Sequence, residues 1–202
     1  MSAQTPVEQA AAAALAGAPI VFPTDTVYAI GTRPDDPAAT ARLFEAKARP
    51  RHVELPVLVP SIGSARAIAV FDERAEALAV SFWAGPLTIV LARAEASRGW
   101  DLGGDAGTIG VRMPHHALTL ALLARTGPLA VTSANRSGHP TPATCEELLG
   151  VFGETVEVYL CADGPLGQQA SSVVDLTGGE PRMLRAGAVS EDDVREVLRR
   201  SA

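Results

Sequence analysis

Short apolar runs separated by polar turns set the pattern of this chain. Thr5-Pro6-Val7-Glu8 opens a helix: Thr5 caps, Pro6 fits the first helical position and Glu8 completes a capping box. The alanines carry this helix to Gly17, and Ile20-Val21-Phe22 follows as a short buried strand. Pro23-Thr24-Asp25-Thr26 reads as a polar turn before Val27-Tyr28-Ala29-Ile30 returns to apolar character. Helices are predicted over 38–47, 75–82 and 117–125, and strands over 57–59, 87–91, 109–112 and 129–131. The last third continues in the same way. Thr144 caps a helix from Cys145 with Glu147 as reciprocal acceptor, 156–160 and 172–175 are strands, and Ser190 with Asp193 caps a final helix. Alternating strands and helices predict a layered α/β fold. The short strands and abundant Gly and Pro favour a strongly twisted mixed sheet over a regular doubly wound one. The Gly/Asp stretch over 99–107 is the expected mobile surface loop.

Composition narrows the picture. The chain has 202 residues, 47% of them hydrophobic but only 4% aromatic, so the core is built mainly from Ala, Val and Leu. That length is compatible with one domain or two small ones. A net charge of −6 argues against a strong nonspecific grip on nucleic acid, which needs a positive field. It leaves room for a local basic groove around Lys47, Arg49 and Arg51. Cys145 and Cys161 lack metal or redox spacing; one disulfide is open, and unpaired thiols in a reducing compartment are the expectation. No signal peptide is evident and Ala10–Ala16 is too short to span a bilayer, so a cytoplasmic protein without a membrane anchor is expected.

Candidate chemistry gathers at strand ends. Leu129-Ala-Val131 leads directly into Thr132, Ser133 and Asn135, which supply hydroxyls and an amide, and Gly138 permits a tight turn. A capped turn with no ligand would have the same form. Lys47 and Arg49 end a helix ahead of Pro50, which biases Arg49 towards extended backbone. A compact charge beside a planar fork suits a polyphosphate or carboxylate; favourable charge at a helix C-terminus is the plainer reading. Arg112 and Arg185 close two further segments, and Ser171, Ser172 and Asp175 surround a strand start. Neither a Gly-x-x-x-x-Gly-Lys-[Ser/Thr] loop, nor Gly-x-Gly-x-x-Gly, nor a Gly-x-Ser-x-Gly elbow occurs, and the four histidines have no metal-ligand spacing. The residues therefore point to an anion-binding α/β pocket rich in hydroxyls, with no evident covalent nucleophile and no protein metal site.

An ordered set of segments resembles the YrdC/Sua5 family of L-threonylcarbamoyladenylate synthases. These are Phe22-Pro-Thr-Asp-Thr-Val-Tyr28, Lys47-Ala-Arg-Pro50, Trp83-Ala-Gly-Pro-Leu-Thr88, Thr108-Ile-Gly-Val-Arg-Met-Pro114, Thr132-Ser-Ala-Asn-Arg-Ser-Gly138, Ser171-Ser-Val-Val-Asp175 and Leu184-Arg-Ala-Gly187. The resemblance implies a twisted mixed parallel and antiparallel sheet with flanking helices around a deep concave cleft, with residues 1–202 as a single domain and without the additional C-terminal domain of longer family members. It implies a nucleotidyltransferase that joins L-threonine, bicarbonate and ATP into threonylcarbamoyl-AMP and pyrophosphate, with Mg²⁺ carried by ATP. A separate transferase would use the product to modify adenosine 37 of tRNA, and weak direct contact with tRNA is compatible with this.

By the same resemblance Lys47, Arg49, Ser133 and Asn135 are the catalytic set. Arg51, Thr108, Thr141 and Arg185 join them on the ATP side, and Thr24, Thr26, Arg112, Val131 and Ser171 receive threonine. The chain departs from the family pattern at Ala29, where glycine is usual, at Val53-Glu54 and mildly at Ser171-Ser172. The Glu54 carboxylate is expected to face away from phosphate or to pair with Arg51. A paralogue acting on another carbamoyl or nucleotide substrate, a double-stranded RNA-binding module and a domain detached from a larger carbamoyltransferase remain alternatives.

Overall fold

A computed structural model describes residues 4–164, 166 and 169–200. The strands are β1 (Ile20–Phe22), β2 (Ala29–Thr32), β3 (Val57–Leu58), β4 (Leu87–Ala92), β5 (Thr108–Arg112), β6 (Leu129–Ser133), β7 (Val158–Tyr159), β8 (Ser172–Asp175) and β9 (Arg182–Arg185). They form one sheet in the order β7-β1-β2-β6-β3-β5-β4-β8-β9. The β1/β7, β3/β5 and β4/β8 pairs are parallel, and the other five are antiparallel. The mixed sheet expected from the alternation is therefore present. The helices are α1 (Pro6–Leu15), α2 (Pro37–Lys47), α3 (Ile62–Ile68), α4 (Glu73–Phe82), α5 (Ala117–Thr126), α6 (Cys145–Phe152) and α7 (Glu191–Arg200).

Period-two alternation divides the apolar residues between the two faces of the sheet. Ile20 and Phe22 of β1, with Leu129 and Val131 of β6, pack with the alanines of α1 and with Leu122 and Leu123 of α5. Val21, Ile30 and Ala130 face the other cluster, which includes Leu43 and Phe44 of α2. Small α1 side chains suit this arrangement because Ala10 and Ala14 are fully buried. The caps read from sequence are in place: Thr5 and Glu8, Thr144 and Glu147, and Ser190 and Asp193 each bond reciprocally.

Several expectations change. Cys145 and Cys161 are joined in a disulfide with Cα atoms 5.8 Å apart, so the reading of unpaired thiols is overturned. The Thr144 cap and the exit of β7 bring the two residues together, which their spacing of 16 does not reveal. The 99–107 stretch is anchored: Leu102 is fully buried, its carbonyl accepts from Leu55 N at 2.8 Å, and Gly104 N donates to the Arg51 carbonyl at 2.8 Å. Leu102, with the partly buried Trp100, fixes the loop among its glycines and aspartates. α3, capped by Ser61, was not read from the sequence, and the strand expected over 156–160 shrinks to the edge pair β7. Among the described residues no helix is long and apolar enough to cross a membrane.

Gly31 sits where β2 is pressed against β6. A Cβ there would lie 2.8 Å from both the Ala130 carbonyl oxygen and Val131 Cγ1. The Ala130 carbonyl cannot retreat without shifting the backbone of the β2/β6 ladder. Gly31→Ala is expected to lower stability by about 1–3 kcal/mol, read by denaturant titration.

Candidate active site

The site forms where β1, β5, β6 and β9 run out and β8 begins. A cavity of about 310 Å³ is lined by Thr24, Thr26, Ala29, Arg49, Thr88, Arg112, Val131, Thr132, Ser133, Thr141, Ser171 and Arg185, with Val27, Pro56, Leu58, Pro140 and Ala170 as apolar walls. Nine of the thirteen residues expected from sequence meet here. None of the described lining residues is acidic, whereas three carry guanidinium groups.

The turn after β1 is wound by a threonine. Thr24 Oγ1 donates to the Val27 carbonyl at 2.6 Å and accepts from Thr26 N and Val27 N, each at 3.2 Å. This presents the Thr26 hydroxyl to Arg112, whose Nη1 lies 3.1 Å away. Arg112 also donates to the Gly85 carbonyl at 3.0 Å and to Asp25 Oδ1 at 2.6 Å, and Asp25 Oδ1 accepts from His115 N at 3.0 Å. Asp25, unassigned in the sequence reading, is thus the carboxylate that balances a guanidinium only 6% exposed. Its other oxygen, Oδ2, is buried without a partner.

α2 ends at Lys47 because Ala48 turns into the left-handed region, with φ of 48°, ahead of Arg49-Pro50. This reversal separates the two cations. Lys47 Nζ passes beneath the end of β6 and donates to the Ser133 carbonyl and to Asn135 Oδ1, both at 2.6 Å. Ser133 Oγ donates to the same Asn135 oxygen at 2.6 Å, while Asn135 Nδ2 donates to the His139 carbonyl. Lys47 and Asn135 therefore stand behind the pocket wall, bonded to Ser133, which lines it. Arg49 enters the pocket, with Nη1 3.3 Å from Thr132 Oγ1 and its other nitrogens on the Val53 and Glu54 carbonyls at 3.1 and 2.9 Å. Opposite it, Arg185 Nη2 donates to Ser171 Oγ at 2.8 Å, and Ser171 lies 3.2 Å from Thr88 Oγ1. The β4/β8 register, Leu87 opposite Ser172, places Thr88 there; its segment was quoted for the resemblance without a role for the hydroxyl.

Two expected residues lie elsewhere. Arg51 bonds Asp101 at 2.5 Å and stacks over Phe44, so it pairs neither with Glu54 nor with the pocket. Thr108 is outside the lining and its hydroxyl donates to Glu54 Oε2 at 3.4 Å. The Glu54 carboxylate does face away from the pocket, held by Arg93 at 3.4 Å.

The electrostatics favour an anion. Burial pushes Arg49, Arg112 and Arg185 down, and the Arg185 charge adds to this for the other two. Asp25 offsets part of the effect at Arg112. Lys47 is lowered to about 7 by burial and then by Arg49. A bound polyanion would reverse these shifts. Among the described residues no cluster of His, Cys, Asp or Glu could hold a metal ion.

Burial raises Glu54 to about 7, against the pull of Arg93 and Thr108 and with help from Asp105. Below pH 4.5 both folded and unfolded forms hold the proton; between 4.5 and 7 the folded protein retains a proton that the unfolded chain releases. This group therefore makes stability fall as pH rises through that window. Urea titrations from pH 4.5 to 7.5 should show Glu54→Gln gaining on the wild type as pH rises, and a parallel pair of curves would refute the assignment.

The family model described as telomere recombination, for Sua5, YciO and YrdC proteins, matches residues 12–187. A Mycobacterium tuberculosis relative, provisionally named threonylcarbamoyl-AMP synthase, is 44% identical over 95% of this chain and 88% of its own length. The threonylcarbamoyl-AMP synthase of Klebsiella pneumoniae is 35% identical over 80% of this chain and 86% of its own. The crystal structure of Pyrococcus abyssi Sua5 complexed with L-threonine superposes with a TM-score of 0.86 at 32% identity, over 97% of this chain and 58% of that one. Escherichia coli YciO gives the same TM-score at 25% identity, over 96% and 95% of the two chains. A family match of this extent, with the same sheet and the ordered strand-end motifs, shows that the chain belongs to the Sua5/YciO/YrdC family.

Proposed function

We propose that this protein is a threonylcarbamoyl-AMP synthase, using L-threonine, bicarbonate and ATP. The observation that carries the reading is a cavity with seven hydroxyl side chains and three guanidinium groups, and no carboxylate among the described lining residues. Such a pocket is suited to several anionic groups held close together, which is what this reaction requires.

The threonine amine and bicarbonate form a carbamate with loss of water. A carbamate oxygen then attacks the α-phosphorus of ATP, and pyrophosphate departs with the electron pair of the broken P–O bond. Both reactants are negative, so cations that bring them together supply much of the catalysis. In our reading Arg112, oriented by Asp25 and Thr26, receives the threonine carboxylate, while Thr24, Val131 and Ser171 shape the space around the amino acid. Arg49, Arg185 and Thr141 face the nucleotide. Ser133 offers its hydroxyl to phosphate, and Lys47 with Asn135 holds that serine in place and adds positive charge. Arg51 and Thr108 receive no direct ligand contact. Mg²⁺ arriving with ATP would neutralise phosphate charge, held by phosphate oxygens because the pocket lining offers no carboxylate. The product is a mixed anhydride, so a separate acyl transferase acting on a tRNA amine would consume it. Bicarbonate and ATP fit a cytoplasmic setting.

Pyrophosphate release should depend on threonine as well as ATP and bicarbonate. Lys47→Ala is expected to lower kcat/KM about 10²-fold and Ser133→Ala about tenfold. Arg112→Lys should raise the threonine KM more than the ATP KM, because the bidentate fork is lost. Folded protein that binds ATP but releases pyrophosphate without regard to threonine would overturn the assignment in favour of a paralogue with another substrate.

A further inference from the structure

Arg93 follows β4 and is 5% exposed, far more deeply buried than an arginine usually is. Its Nε donates to the Thr108 carbonyl at 2.6 Å and Nη1 to the Trp100 carbonyl at 2.7 Å. Nη2 reaches Glu54 Oε1 at 3.4 Å, and the Thr108 hydroxyl reaches Oε2 of the same carboxylate at 3.4 Å. Glu54 is thereby tied to the start of β5 and to the 97–102 loop. Gly103 and Gly104 complete the clamp: a Cβ on Gly104 would lie 2.7 Å from Glu54 Cβ, and one on Gly103 would lie 2.4 Å from the Arg51 carbonyl oxygen.

The backbone of the same residue faces the site. The Glu54 carbonyl accepts from Arg49 Nη2 at 2.9 Å and the Val53 carbonyl from Nε at 3.1 Å. These two carbonyls and Thr132 Oγ1 are the partners that set the direction of the Arg49 guanidinium. A carbonyl can aim a side chain only if its own peptide is held. The 54–55 peptide, which carries the Glu54 carbonyl, is held by Leu55 N donating to the Leu102 carbonyl at 2.8 Å, whereas the 53–54 peptide, which carries the Val53 carbonyl, has no strand ladder. The side chain of Glu54, held by Arg93 and Thr108, is the second anchor, between the two peptides and on the far side from Arg49.

We propose that Glu54 is a positioning residue: its carboxylate, gripped by Arg93 and Thr108, fixes the carbonyls that aim Arg49 into the anion pocket. The inference rests on the proposed function for its consequence in turnover, though not for its geometry. It gives a role to a carboxylate that would otherwise be misplaced so close to a phosphate site.

Two readouts test it. The first is the rate at which phenylglyoxal modifies Arg49, followed by peptide mass mapping, with thermal melting to confirm folding. The second is threonine-dependent pyrophosphate release in a double-mutant cycle with Arg49→Ala. Glu54→Ala should speed modification of Arg49 about fivefold and lower kcat/KM about tenfold, since a small misplacement of a catalytic cation is costly. Glu54→Gln keeps an acceptor for Arg93 and should restore both values to within about twofold. In the Arg49→Ala background, Glu54→Ala should cost nothing further. An unchanged Arg49 rate in folded Glu54→Ala overturns the proposal, as does an equal loss of activity with and without Arg49. Should Glu54→Ala not fold, Thr108→Val removes a donor to the same carboxylate and is judged on the same Arg49 rate. If the wild type shows no threonine-dependent release, the proposed function fails, while the modification rate still decides whether Glu54 positions Arg49.

Discussion

Three guanidinium groups share one small cavity, and the structure around it is arranged to tolerate their proximity. Arg49, Arg112 and Arg185 come from the loop after α2, the end of β5 and the end of β9, and all line the same space. Like charges held together in partial burial repel one another, and desolvation adds to that cost. Each is compensated by fixed acceptors: carbonyls at Val53 and Glu54 for Arg49, Gly85 and Asp25 for Arg112, and Ser171 for Arg185. Most of these acceptors are neutral. The pocket therefore keeps a surplus of positive potential that an anionic ligand can use, which more carboxylates would have cancelled.

The sheet makes that arrangement possible. Parallel pairing of β3 with β5 and of β4 with β8 brings the ends of distant segments to the same edge. The antiparallel pairing of β2 with β6 presses Ala29 against Ser133, so the threonine turn and the serine–asparagine turn meet across a ladder. Hydroxyls supply the rest of the polar wall, and they can donate to an anion and accept from arginine without adding charge. Lys47 acts from behind this wall. Its bonds to Ser133 and Asn135 brace the turn and place a cation near the site.

The departures from the family pattern become intelligible in the same terms. Ala29 is a small buried residue of the cavity lining in the first position of β2, where extended backbone does not require the usual glycine. Glu54 turns its charge away from the pocket and its carbonyl towards Arg49. The disulfide joins the start of α6 to the exit of β7 in a region that also carries Thr141, so the wall of the pocket and that covalent link belong to one stretch of chain.

Local pattern alone determined much of this protein. The Thr5, Thr144 and Ser190 caps, most helices and the central strands were legible because capping and period-two burial are properties of neighbouring residues. The ordered motifs likewise pointed to Arg49, Arg112, Ser133, Ser171 and Arg185 as candidates, and these line one cavity. Pairing between distant segments was not legible. Asp25 as the partner of Arg112, Arg51 turned towards Asp101, Glu54 joined to Arg93, and Cys145 bonded to Cys161 all depend on strand order and loop packing. Sequence spacing carries the chemistry that each residue can do, whereas the partner it does it with is set by which surfaces the sheet brings within about 3 Å.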